Sequence, residues 1–393
     1  MKLKELFKFI LVFLVVLQSG TILFYGASLA FLLPLVLYSA IQTISQGKVV
    51  TNNLFILIMI MVVLQIIEYL LFEVSVNALL VSFFSYLTLV FIVIIVDKSF
   101  ISVLINLVLA ISVISLIMWG SLNLFPPLSG KFQTLAESLP RYSGQTEFFK
   151  NQGGDARMVH IWLYNINKNN DDLYRNCGIF YEPGRFAFFL ILALIYCIYH
   201  KWYSLRNWRV IVLIGTLVTT FSTSGYLALL ILFSFYFINF NKGIFKRLFI
   251  ILVSLTTAYL VYNLDFIGDK ISEQISSDSS DSRFSAIAYH LSFVEDHLMF
   301  GYGTSMPSLD LSPNGLSFFL LKHGILAFFA VGILLYQHFS CFLNNVVNSN
   351  QILVTSFFSL IAVLFSQTIS CDPIFYFLIF MPILLKKINR VLI

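Results

Sequence analysis

The sequence predicts an all-α, polytopic membrane protein with about twelve transmembrane helices, and three observations lead to that class. Of its 393 residues, 59% are hydrophobic and 11% charged, with a mean hydropathy of +0.89; a soluble chain carries roughly a quarter of its residues charged. The charges are clustered, and the apolar stretches between them run to about 15–22 residues, the length at which a helix crosses a bilayer. Lysine and arginine collect at alternate connections, as orientation by positive charge requires.

Twelve spans follow in order, over 6–18, 21–41, 53–72, 75–96, 99–119, 181–200, 208–223, 226–240, 247–263, 315–339, 352–369 and 374–386. The first follows Lys2, Lys4 and Lys8, and no small-residue cleavage site separates it from the second, so it reads as an uncleaved signal anchor. No span repeats another. With the N-terminus in the cytoplasm, Lys48, Lys98, the turns "HKWYSLRNWR" and "NKGIFKR" and the tail "KKINR" share its side. Together with the N-terminal lysines they hold fourteen of the twenty-four Lys and Arg residues. Both termini are therefore expected to be cytoplasmic.

The net charge of +5 reports this orientation rather than nucleic acid, since no Lys/Arg run makes a nucleic-acid patch. No Gly-rich phosphate loop is present, so no ATPase is expected. Four cysteines are too few and too scattered for a metal centre or a disulfide framework. Cys177 and Cys371 both fall on the outer side, where a disulfide is permitted. No metal and no cofactor is expected.

Two connections break the short-loop pattern, 120–180 and 264–314, and both fall outside. Loops of that length inside a compact fold are functional or disordered. "SEQISSDSSDS" (272–282) reads as mobile. The stretch after it, "RFSAIAYHLSFVEDHLMFGYG" (283–303), places Phe284, Ile287, Ala288, Leu291, Val294 and Leu298 at helical spacing and is too polar to span. It predicts an amphipathic helix over 283–299 at the outer membrane surface, capped by Ser280, Asp281 or Ser282 and ended by Gly301-Tyr302-Gly303. Arg283, His290 and His297 would share one of its faces. Residues 1–393 are expected to form a single integral membrane domain.

Where the first loop meets the membrane, "RNCGIFYEPGRFAFFL" (175–190) sets Arg175, Glu182 and Arg185 against an apolar run. Two ordinary readings stand: the charges anchor the helix at the interface, or Pro183 begins the helix with Glu182 at its positive end. Against them stand two arginines, the side chain suited to bidentate phosphate binding, flanking one carboxylate. Arg283 meets a similar choice, between pairing with Asp281 in an acid-rich loop and binding a ligand beside His290. His290 and His297 titrate near neutral pH and can serve as bases, although a histidine on such a helix is more often a solvated face residue. His323, in "LLKHGILAFF" near the outer half of a span, is less ordinary because ionisable groups are costly in a membrane. His160 has no context, and His200 and His338 lie towards the cytoplasmic side and read as structural. "TTFSTSGYLALL" (219–230) gathers hydroxyls around Gly225 at an outer turn, where turn chemistry accounts for them.

In order and spacing these pieces resemble the Wzy-type O-antigen polymerases and the wider O-antigen polymerase/ligase superfamily. The matching pieces are "RNCGIFYEPGRFA" before a mid-chain span, "TFSTSGYLA" at a later outer turn, "SRFSAIAYHLSFVEDHLMFGYGT" in the second large loop, and "SPNGLSFFLLKHGILAFF" opening the next span. The resemblance covers roughly residues 170–340 by motif and the whole chain by topology. It implies a GT-C-like glycosyltransferase of the bacterial inner membrane, with both large loops and the active site periplasmic. Such an enzyme transfers a glycan from undecaprenyl pyrophosphate to the terminal sugar of another lipid-linked repeat unit, building O-antigen or a related surface polysaccharide. The donor bond is already activated, so neither nucleotide nor metal is needed. The resemblance further implies that Arg175, Arg185 and Arg283 grip the pyrophosphate. Glu182 would be the leading acceptor base or positioning group, with His290 and His323 as further candidates. The family's usual partner is a co-polymerase that sets chain length.

Two other readings compete. The superfamily's ligases, which pass the glycan to lipid A-core, usually show a His-Asn pair where this chain has Pro313-Asn314. A lipid-linked oligosaccharide flippase would carry charges within its spans, along a pathway, with short loops on both sides. Here the arginines lie in and beside two outer loops, which favours chemistry at that surface.

Overall fold

The computed structural model describes residues 3–21, 28–46, 51–72, 74–138, 158–161, 164–168, 174–200, 207–240, 243, 283–294, 297–303, 314–342 and 349–385. Within them the chain is an all-α polytopic membrane protein with one small sheet. In order come α1 (Leu3–Gln18), α2 (Leu33–Ser45), α3 (Thr51–Phe72), α4 (Val76–Val96), α5 (Ser99–Leu124), α6 (Pro127–Ser138), β1 (Met158–Ile161), β2 (Tyr164–Lys168) and β3 (Tyr174–Asn176). There follow α7 (Pro183–Tyr199), α8 (Trp208–Thr219), α9 (Thr223–Phe240), α10 (Arg283–Val294), α11 (Gly315–Phe342), α12 (Ser349–Ser366) and α13 (Pro373–Leu384). The expected span at 247–263 and the stretch 272–282 lie outside the described residues. Among those described, α3, α4, α5 and α11 are long and apolar enough to cross a bilayer, and six shorter helices are apolar. Phe55, Ile56, Ile60, Val63, Leu64 and Leu70 of α3 all point outward, as on a helix whose solvent is lipid.

The helices sort into two compact units, one of Met1–Leu11, Ser28–Ser99 and Leu230–Ile393, the other of Val12–Ala27 and Phe100–Leu229. In the first, α2 packs on α4, α13 packs on α3, α4 and α11, and both α10 and α12 pack on α11. Pro382 inside α13 has no N–H to offer the Leu378 carbonyl one turn back. His338 of α11, fully buried, hydrogen-bonds the Leu378 backbone, a structural use of the kind its sequence position suggests.

One span departs from expectation, because α11 is two helical pieces. Gly324 takes φ 75° and ψ 175°, a conformation open to glycine at little cost. The 297–303 segment repairs the break. Tyr302 and Gly303 donate their N–H groups to the carbonyls of Leu321 (3.0 Å) and Lys322 (2.9 Å), and Ile325 donates to the Leu298 carbonyl (2.9 Å). In an unbroken helix those two carbonyls would serve Ile325 and Leu326. A membrane helix tolerates interruption where protein re-satisfies the freed groups. The two backbones come so close that a Cβ on Gly324 would lie 2.3 Å from the Met299 oxygen.

The same crossing limits α10. α10 ends at Val294, short of the expected 299, because the chain must leave helical geometry to reach α11. His297 therefore does not share a helix face with Arg283 and His290. It is exposed, with its ring 4.5 Å from Tyr302 and 5.3 Å from Phe72.

In the second unit, the loop 120–180 contains α6 and a three-stranded antiparallel sheet in the order β1-β2-β3 that the sequence reading did not anticipate. Ile166 pairs with Asn176 and Asn167 with Arg175. Tyr164, Ile166 and Tyr174 are buried with Leu122 of α5, packed by Met118, Trp119, Leu128 and Phe132. Trp119 Nε1 donates to the Tyr174 carbonyl at 2.7 Å, pinning β3 to α5. The apolar residues that hold this sheet are too few for a strand pattern to stand out from sequence alone.

Candidate functional site

Within the second unit, two motifs far apart in sequence meet. β3 carries Arg175 between the buried residues Tyr174 and Asn176. Asn176 Nδ2 donates to Thr219 Oγ1 (2.9 Å) and Ser115 Oγ (3.3 Å), and its Oδ1 accepts from the Gly178 N–H (3.1 Å). These bonds tie the strand to α5 and to the end of α8. Asn165 Nδ2 donates to the carbonyls of Phe180 and Tyr181, both at 3.1 Å, and so fixes the approach to Glu182.

So placed, Arg175 Nη2 donates to the Phe221 carbonyl at 3.1 Å, in the turn between α8 and α9. Phe221 is left-handed, with φ 49°, a costly conformation for a bulky residue. The hydroxyls of that turn bond locally: Gly225 N–H to Ser222 Oγ (3.3 Å), Ser222 N–H to Thr220 Oγ1 (3.3 Å), and Ser222 Oγ with Ser224 Oγ (3.2 Å). Turn chemistry thus explains "TTFSTSGY", with one addition: the turn presents a carbonyl to Arg175.

Glu182 occupies the N-cap position of α7 ahead of Pro183, yet its side chain makes no capping hydrogen bond. Burial lowers the Arg175 pKa, while Cys177, Glu182 and Tyr226 act to raise it. Burial also pushes the Cys177 thiol up to about 12, with Arg175 opposing. Cys177 is a free thiol and takes part in no disulfide. Arg185 is turned inward. It is 5% exposed, its guanidinium lies 4.5 Å over the Tyr181 ring, and Nη1 donates to the Ser19 carbonyl at 3.2 Å. An interfacial anchor reaching for water does not look like this.

The first unit holds His290, His297 and His323. His290 on α10 is 1% exposed, with Nδ1 2.7 Å from Ser317 Oγ and its ring edge-on to Phe318. It is therefore no solvated face residue, and burial lowers its pKa below the ordinary 6.5. Asn314 Oδ1 accepts the Ser317 N–H at 3.1 Å, capping α11, and Ser370 Oγ donates to the Gly315 carbonyl at 2.9 Å. One turn before the break, Phe319 packs 4.6 Å from the His323 ring, whose Nε2 lies 3.1 Å from the Tyr376 hydroxyl. Arg283 is the first residue of α10. A largely apolar cavity of about 370 Å³ runs along α11, lined among others by Leu316, Phe319, Phe328, Tyr336, Phe357 and Phe375.

One carboxylate escaped the sequence reading. Glu68 lies inside the apolar α3 and packs against Gly303, so closely that a Cβ there would meet Oε1 at 2.7 Å. A lone acid in a span is a functional signal by default, and that signal was available in "LQIIEYLLF". Ser317 and Tyr376 carried no comparable signal, since hydroxyls are ordinary in such helices.

Arg185 and His290, buried among apolar helices, mark a polytopic membrane protein that keeps polar contacts in its interior. Residues 208–324 match the family model described as O-antigen ligase. The match supports the resemblance to the O-antigen polymerase/ligase superfamily over that part of the chain. The matched segment carries the 219–226 turn, α10 and the first piece of α11. No curated protein and no solved structure matches the chain.

Proposed function

We propose that the protein is a glycosyltransferase that polymerises undecaprenyl-pyrophosphate-linked repeat units at the periplasmic face of the bacterial inner membrane. The observation that carries this reading is the buried Arg175 guanidinium, which donates to the Phe221 carbonyl and feels the charge of Glu182 at the start of α7. A guanidinium whose charge is disfavoured by burial gains from an arriving anion, and its fork geometry suits a pyrophosphate. Arg175 holds the leaving group, and Arg185, through Ser19 and Tyr181, holds the start of α7 that carries Glu182. Glu182 takes the proton of the acceptor hydroxyl. The acceptor oxygen bonds the anomeric carbon, and the old carbon–oxygen bond leaves with its electron pair on the pyrophosphate. The apolar cavity along α11 suits a polyprenyl tail.

The family description favours a second reading, ligation of the same donor to lipid A-core. Against it, Asn314 follows a proline and is engaged in capping α11. Purified protein supplied only with lipid-linked repeat units should produce a ladder of longer chains. A ladder that forms only when lipid A-core is added makes the protein a ligase. Flux of lipid-linked units across vesicles without any chain growth makes it a flippase.

A further inference from the structure

The break in α11 and the segment 297–303 share a set of backbone hydrogen bonds that two arrangements can satisfy. In the present one, Tyr302 and Gly303 donate to the Leu321 and Lys322 carbonyls at 3.0 and 2.9 Å, and Ile325 donates to the Leu298 carbonyl at 2.9 Å. With helical dihedrals at Gly324, Ile325 would donate to Leu321 and Leu326 to Lys322 instead. Those α11 groups are satisfied with the segment on or off, and only the segment's own groups exchange protein for water. Gly324 can serve both arrangements, since its present φ of 75° and a helical φ are each open to glycine.

The segment runs between α11 and α3. The His297 ring sits 5.3 Å from Phe72, and Gly303 lies against Glu68, one turn earlier on α3. Leu298, Met299 and Phe300 are 44%, 54% and 46% exposed, so their apolar burial holds the segment only in part. A hydrogen bond that water can replace adds a modest net stability. Docked and undocked states therefore differ by a few weak contributions, which is what lets a two-state equilibrium be shifted.

We propose that 297–303 is a strap: docked, it interrupts α11 at Gly324, and released, it lets α11 close into one continuous helix. On release α10 stays on the first piece of α11 through His290 and Ser317, 2.7 Å apart, while the strap beyond it swings free. The device lies within one compact unit and operates whatever reaction the protein catalyses.

Hydrogen–deuterium exchange of the full chain in nanodiscs, read residue by residue, tests this. In the wild type the Tyr302 and Gly303 amides should be protected roughly tenfold less than the Ile325 amide, which finds a carbonyl in both arrangements. Equal protection overturns the strap, because segment and helix then open together. Two variants push the balance from opposite sides. Gly324→Ala disfavours the positive φ and favours the continuous helix. Gly301→Ala acts on the strap alone, where a Cβ would lie 2.5 Å from the Lys322 carbonyl carbon. In both, exchange at Tyr302 and Gly303 should rise by roughly a further tenfold with Ile325 still protected. Loss of protection at Ile325 as well marks a damaged junction, and unchanged strap rates mark a segment indifferent to the break; either result overturns the proposal. Should a variant fail to fold, the wild-type comparison decides.

Discussion

At the scale of single residues, the two motif arginines differ in what surrounds them. Arg175 reaches a loop carbonyl beside a carboxylate, whereas Arg185 is packed over Tyr181 and against Ser19. Arg175→Ala should reduce chain elongation by roughly 10²–10³-fold, as loss of a charge-stabilising donor does, and Arg175→Lys should restore little because a point charge lacks the fork. Lipid-linked substrate turnover in purified protein measures both. Arg185→Ala should instead lower the melting temperature, since it removes buried packing as well as a hydrogen bond. His290 gives a pH prediction whose sign follows from its lowered pKa. The unfolded chain binds this proton more readily, so its contribution to stability is complete above about 6.5, the ordinary histidine value, and is lost as pH falls below it. Thermal melts from pH 7.5 to 5 should show that slope in the wild type and a shallower one in His290→Gln. Arg175, Glu182 and His290 stood out by residue type and position. The partners of Arg175 and His290 did not, because Phe221 and Ser317 act through a carbonyl and a hydroxyl that no sequence pattern singles out.

At the scale of elements, the apolar runs were legible because a bilayer imposes one length and one polarity on every span. The sheet of 158–176 and the break in α11 were hidden for a common reason: each is stabilised by groups from elsewhere in the chain. The strands owe their burial to Leu122 and Trp119 of α5, and the break owes its hydrogen bonds to residues 297–303. Gly324→Ala tests the break. It forces a side chain into a left-handed φ and into the Met299 carbonyl, so stability should fall by about 2 kcal/mol or more, read as a lower melting temperature in detergent. An alanine that stabilises the protein would show that α11 runs on as one helix. Asn165→Ala should cost roughly 1–3 kcal/mol by orphaning the carbonyls before Glu182.

At the scale of the whole molecule, the prediction concerns orientation. Reporter fusions placed after Lys98 and Lys242 should read as cytoplasmic, and one placed at residue 150 as external, because lysine and arginine mark the retained side. A cytoplasmic signal at 150 would invert the topology and remove the arginines from the periplasm. The sequence by itself determined the membrane class, the apolar helices described and the chemical types available, since composition and hydropathy respond only to the solvent around each stretch. It also carried enough ordered motifs to suggest the superfamily. Only the tertiary structure decided that Arg175 meets the 219–226 turn, that His290 is buried on Ser317, and that α11 is interrupted at Gly324. These depend on hydrogen bonds between residues 27 to 46 positions apart, or on a backbone crossing. Local sequence cannot specify such pairings, because any of many hydroxyls or carbonyls would satisfy the same donor.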